Sequence, residues 1–241
     1  MLKVEHLAWS LPGGGEIIKD IDFTVADGEL AVVTGPNGGG KTSLAKLIAG
    51  IEKPTSGRIL LDGRDITDLN VTERAKLGIA YAFQQPVRFK GITVRDLLEL
   101  SAGGSLPEDR LCELLGKVGL CANEYIDREM NASLSGGESK RIELATVLAR
   151  GAALSIFDEP EAGIDLWSFS RLVETFDGLR KSGDGTLMII SHQERILSIA
   201  DKIIVIANGE VRMIGPGSEV LPRLMDDEYS PRCPLGKEAL V

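Results

Sequence analysis

The chain has 241 residues, with 36 acidic against 27 basic side chains and a formal charge of -9. That length is ample for a buried core, as one large domain or a core carrying a lobe, and the acidic balance argues against nucleic acid held by bulk electrostatics. The odd cysteine count (Cys112, Cys121, Cys233) has no CxxC pair and opposes a disulfide framework, and no apolar run approaches the ~20 residues of a membrane-spanning helix. The opening "MLKVEHLAW" lacks the basic-then-apolar layout of a signal peptide. A cytoplasmic protein is expected, one that would meet a membrane only through another chain.

In chain order, short apolar runs alternate with helical patterns, the signature of a mainly parallel α/β sheet. "LAVVTG" (30–35) predicts a buried strand entering a glycine loop, and "KTSLAKLIAG" continues with helical spacing. "GRILLDG" (57–63) predicts a hairpin arm and "IAYAF" (79–83) a further strand. From about Thr93 the texture turns helical, with Leu111, Leu114, Leu115 and Val118 on one face. Strands resume at "ALSIFD" (153–158), "TLMIIS" (186–191) and "KIIVIA" (202–207), where Asn208-Gly209 predicts a type I′ hairpin into "EVRMIG". The expected organisation is a discontinuous α/β core (1–86 and 150–225), a helical insert (87–149) and an irregular tail (226–241).

"GPNGGGKT" fits GxxxxGK[ST] between a strand and a helix. Gly35, Pro36, Asn37, Gly38, Gly39 and Gly40 would turn backbone N–H groups onto a β-phosphate at the helix start. Lys41 would reach the β- and γ-phosphates, Thr42 would ligate Mg²⁺, and Ser43 completes the loop. "LSIFDEP" (154–160) ends a strand with the carboxylates such a loop needs. Asp158 is expected on the Mg²⁺ side, and Glu159 as the group that polarises the attacking water. A second anion-ready helix start, "SLSGGESKRIEL" (133–144), lies far downstream and carries Glu138 beside it.

The ordered set of phosphate loop, Gln84, "LSGGE", "FDEP", "AGID" (162–165) and His192 resembles the ATP-binding-cassette ATPases over about residues 2–220. The resemblance implies a P-loop core with an antiparallel N-terminal β subdomain and a helical insert. It also implies ATP and Mg²⁺ as cofactors and a homodimer assembled head to tail around two Mg-ATP. Ser135, Gly136 and Gly137 would then cap the γ-phosphate held by the partner copy, and Asp165 would lie in the segment that crosses to it. Gln84 would contact Mg²⁺ or water and report nucleotide state to the insert, and His192 would bond the γ-phosphate.

Several departures narrow the expected role. Glu138 stands where transporter members usually have glutamine, and the position of their adenine-stacking aromatic is Leu11, with Trp9 two residues early. Glu138 with Lys140-Arg141 and Glu143, the "HQERIL" after His192 and the missing aromatic resemble the SufC-type ATPase of iron–sulfur cluster assembly. The proline of "DEPEAGID" resembles transporter ATPases instead. The resemblance therefore implies a soluble SufB-type scaffold as partner, with membrane-spanning transporter subunits as the alternative. A clamp on DNA ends is opposed by the acidic balance and the lack of a coiled-coil insert, so no nucleic-acid partner is expected. "QQPVRFKGITV" (84–94) offers Val87, Phe89 and Ile92 beside Arg88 and Lys90 as an apolar-plus-basic docking surface. Cys112 and Cys121 are expected as small core residues, and His6 as a surface strand residue without a partner.

Overall fold

The computed structural model describes residues 1–225 except Pro12, Arg88 and Ala132. The tail expected to be irregular, with Cys233, and the docking residue Arg88 lie outside the described residues. The strands are β1 (Leu2–Ser10), β2 (Glu16–Val25), β3 (Leu30–Thr34), β4 (Ser56–Leu61), β5 (Arg64–Asp65), β6 (Ile79–Ala82), β7 (Leu154–Asp158), β8 (Thr186–Ile190), β9 (Lys202–Ala207) and β10 (Glu210–Pro216). They form one sheet in the order β5-β4-β1-β2-β10-β9-β3-β8-β7-β6. The run β9-β3-β8-β7-β6 is parallel, whereas β1 pairs antiparallel with β2 and β4. The mainly parallel α/β sheet with an antiparallel N-terminal part follows the sequence expectation.

The helices are α1 (Lys41–Ala49), α2 (Val71–Lys76), α3 (Val94–Ala102), α4 (Glu108–Lys117), α5 (Ala122–Tyr125), α6 (Gly136–Ala149), α7 (Leu166–Ser182), α8 (Glu194–Leu197) and α9 (Gly217–Met225). Strands β3, β7 and β8 are buried throughout, as near-continuous apolar runs require when both sheet faces are covered. Alternation assigns their residues to two cores. Val33, Ile156 and Ile190 join α1 and the N-terminal strands, whereas Val32, Phe157 and Ile189 join residues of α3, α4, α6 and α7. Leu111, Leu114, Leu115 and Val118 are all buried, as their spacing demands. Asn208 and Gly209 both adopt positive φ (55° and 78°), which the type I′ link from β9 to β10 requires.

Two expectations are corrected. Cys112 and Cys121 are exposed, not core residues: the apolar face of α4 is already filled by its leucines, and Cys121 stands at the cap before α5. His6 has partners, because an irregularity in β1 turns its ring Nδ1 towards Asp20 (3.1 Å) and Asp22 (3.2 Å). These carboxylates raise its pKa, the hydrogen bond to Asp20 contributing most.

Candidate active site

The parallel strands deliver chemistry to one edge. The glycine loop follows β3, Gln84 follows β6, Asp158 and Glu159 end and follow β7, and His192 follows β8. All these are carboxyl ends of strands, where open α/β sheets place their ligands. Local backbone demands fix the loop. Gly35 has φ of +132°, and a Cβ there would sit 2.0 Å from the Ile206 carbonyl oxygen, so no side chain fits. Helix α1 then begins at Lys41, behind Gly40 in the left-handed region.

Lys41 is buried and its Nζ donates to the carbonyl oxygens of Gly35 (2.8 Å) and Pro36 (2.9 Å). Burial lowers the pKa of its ammonium, against the pull of Glu159 and Asp158. Thr42 Oγ1 donates to Asp158 Oδ1 at 3.2 Å, and Tyr81 OH donates to Asp158 Oδ2 at 2.8 Å. Asp158 is wholly buried, and burial raises its pKa against both hydrogen bonds. Hydroxyl and carboxylate oxygens meeting at one point are the donor set a hard divalent cation takes, so Thr42 and Asp158 fit Mg²⁺. Gln84 Nε2 reaches Glu159 Oε2 at 2.7 Å. Glu159 itself sits at a left-handed φ of 46°, its N–H bonded to the Ile190 carbonyl at 3.0 Å. Desolvation, then the charge of Lys41, lowers the pKa of His192 below the ordinary histidine value.

A second group forms elsewhere. Ser135 caps α6 in a reciprocal box: its Oγ accepts from Glu138 N–H (3.2 Å), and its N–H donates to Glu138 Oε2 (2.7 Å). Tyr125 OH donates to the other Glu138 oxygen. The pKa of this carboxyl falls to about 2, through Tyr125 first and the Ser135 contacts next. Glu138 therefore caps its own helix. A Cβ on Gly137 would come within 2.7 Å of the Gly163 carbonyl oxygen, so the signature glycine touches the "AGID" turn. Asp165 caps α7 through the N–H groups of Trp167 (3.1 Å) and Ser168 (3.0 Å), and Leu166 and Trp167 beyond it are exposed. Among the described residues, no hydrogen bond joins Ser135, Gly136, Gly137 or Asp165 to the glycine loop.

Lys140 and Glu143, charged residues that a sequence would place at the surface, are both buried. Lys140 Nζ donates to the carbonyl oxygens of Phe83 and, at 3.3 Å, Gln84, while Glu143 Oε1 accepts the Phe83 N–H at 2.9 Å. Helix α6 thereby grips the segment that presents Gln84. The charged pattern at i and i+3 was visible in the sequence, but the absent solvent was not. Tyr81 was missed too, since an aromatic in a predicted strand looks like packing. Phe83, Val87 and Phe89 are exposed, and they line a shared groove with Leu97 of α3 and Val147 of α6.

Sheet order, glycine loop and paired carboxylates define a nucleoside-triphosphatase of the P-loop class. The family described as ABC transporter matches residues 18–162, more than half of the chain. An uncharacterized ABC transporter ATP-binding protein of Methanocaldococcus jannaschii is 42% identical over 228 residues, covering 91% of this chain and 90% of that protein. The lipopolysaccharide export system ATP-binding protein LptB of Escherichia coli is 32% identical over 233 residues, covering 93% of each. Among solved structures, a dimeric ATP-binding cassette in a post-hydrolysis state bound to ADP and Pi superposes with a TM-score of 0.81. It is 23% identical, over 90% of this chain and 98% of that one. The chain belongs to the ABC transporter ATPase family. It binds ATP with Mg²⁺ and hydrolyses it to ADP and phosphate. Among the described residues, no helix is long and apolar enough to cross a membrane.

Proposed function

We propose that this chain dimerises head to tail around two Mg-ATP and converts their hydrolysis into movement of a bound partner. The loop from Gly35 to Ser43 holds the phosphates of its own nucleotide, with Lys41 leaving its carbonyl partners for the β- and γ-oxygens. Thr42, Asp158 and Gln84 hold Mg²⁺, which when bound neutralises phosphate charge. Glu159 polarises the attacking water, and His192 bonds the γ-phosphate. Ser135, Gly136, Gly137 and Asp165 act on the nucleotide of the second copy. The observation that carries this reading is the separation of two anion-ready groups in one protomer, with no hydrogen bond between them among the described residues.

The test is Glu159→Gln. It keeps ATP affinity, abolishes turnover and yields an ATP-dependent dimer by light scattering. Wild-type turnover in the variant overturns the assignment of Glu159.

The partner docks in the groove of Phe83, Val87 and Phe89, between the α/β core (1–86, 150–225) and the insert (87–149). The named relatives are transporter ATP-binding proteins, which supports membrane-spanning transporter subunits as that partner. A second reading, a SufB-type scaffold of iron–sulfur cluster assembly, draws its support from the "SGGESKRIE" segment. There Glu138 closes the capping box, and Lys140 and Glu143 hold the groove-forming segment. Identifying what co-purifies from native extract separates the two: a multi-spanning protein supports the first, a soluble scaffold the second.

A further inference from the structure

The turn after β7 carries Glu159 and the turn after β8 carries His192, and one side chain spans both. Glu161, two residues beyond Glu159, accepts the Ser191 Oγ–H on its Oε1 at 2.5 Å. Ser191 Oγ in turn accepts the Gln193 N–H at 3.0 Å, so the bonded residues flank His192 on both sides. Ser191 is completely buried, and the second oxygen of Glu161 is buried without a hydrogen-bond partner. A carboxyl group enclosed in this way is costly unless its contacts return the loss. Here its hydrogen bond falls on Ser191, the residue before His192, so simple packing would be better served by an apolar residue. The turn has little slack, since Glu159 N–H is fixed to Ile190 and Ala162 N–H to the Glu159 carbonyl, both at 3.0 Å.

We propose that Glu161 is a positioning residue for ATP hydrolysis: through Ser191 it fixes the turn bearing His192 against the turn bearing Glu159. It acts through Ser191, and it lies outside the glycine-loop, signature and paired-carboxylate motifs. The inference rests on the proposed roles of Glu159 and His192.

Steady-state kinetics test it. Glu161→Ala lowers kcat by about tenfold or more, because sub-ångström misplacement of catalytic groups costs rate, and leaves KM for ATP within about twofold. Ser191→Ala produces a similar fall, and the double variant is no worse than the weaker single, since both remove one link. Glu161→Gln, whose carbonyl oxygen can still accept from Ser191, restores most of the rate. An unchanged kcat in Glu161→Ala, or losses that multiply in the double variant, overturns the proposal. Should Glu161→Ala fail to fold, Ser191→Ala and Glu161→Gln carry the same comparison. His192→Ala runs alongside: intact kcat there overturns the role of His192 and this inference with it. A loss there combined with full activity in Glu161→Ala overturns the positioning role alone.

Discussion

Gln84 Nε2 donates a 2.7 Å hydrogen bond to Glu159 Oε2, joining the residue that follows groove-lining Phe83 to the carboxylate proposed to activate water. The strands before them, β6 and β7, are parallel neighbours, so the link spans adjacent strand ends. A partner pressing on the groove would move Gln84 and thereby re-aim Glu159. Gln84→Ala is therefore expected to lose partner-stimulated turnover and to weaken Mg-ATP through the lost Mg²⁺ ligand, while affinity for ATP without Mg²⁺ changes less than about threefold, because no loop contact to phosphate is removed. Full stimulation in the variant would separate the groove from the catalytic carboxylate.

The capping box gives a pH signature. Glu138 has its pKa lowered to about 2 from an ordinary 4.5, so its stabilisation is fully present above about 4.5 and is lost as pH falls towards 2. Solvent reaches this carboxyl and screens it, so the contribution is that of a helix cap, about 1 kcal/mol. Urea unfolding of Glu138→Gln is expected to show that loss at pH 7 and little difference from wild type near pH 2. A constant offset at every pH would remove the carboxylate from the account.

Base selectivity is expected to follow from two N-terminal residues. Trp9 is buried in the core against Ile18, across the β1–β2 pair, so its ring is no stacking surface, and Leu11 is exposed. An aromatic stack contributes ~1 kcal/mol that neither Trp9 nor Leu11 supplies, and 1.4 kcal/mol is one decade of affinity. ATP and GTP are thus expected to bind within about tenfold of each other in titration calorimetry, and Leu11→Tyr to favour ATP. A hundredfold preference for ATP in the wild type would require another platform.

Phe89 tests the groove. Its backbone N–H is held by the Met130 carbonyl at 3.2 Å while the side chain stays exposed, so Phe89→Asp alters the surface without unpairing the chain. Partner capture is expected to fall at least tenfold with nucleotide affinity unchanged, as for loss of a central aromatic anchor. Equal capture by the variant would place the interface elsewhere.

Residues whose role is local were legible in the sequence. The glycine loop, the strand-end carboxylates and Asn208-Gly209 each encode their own backbone requirement, and the helical face of Leu111 to Val118 encodes its own burial. Roles that depend on what folds over a residue were not legible. Lys140 and Glu143 look like solvent-facing charges until Phe83 and Gln84 arrive from 56 to 60 positions away in the chain. Glu161 gains its meaning only when β7 and β8 pair side by side. Cys112 and Cys121 show the converse: their small apolar character suggested the interior, but the leucines of α4 had already filled it.

Among the described residues, the segment expected as an insert shares a core with the sheet. Val94, Leu98, Leu115 and Ile142 belong to the same buried cluster as Val32, Phe157 and Ile189 of the sheet. We propose that a boundary near residue 87 exists in the path of the chain but does not divide its stability. Helices α3 to α6 excised alone are expected not to fold, and heating the protein should melt insert and sheet in a single calorimetric transition.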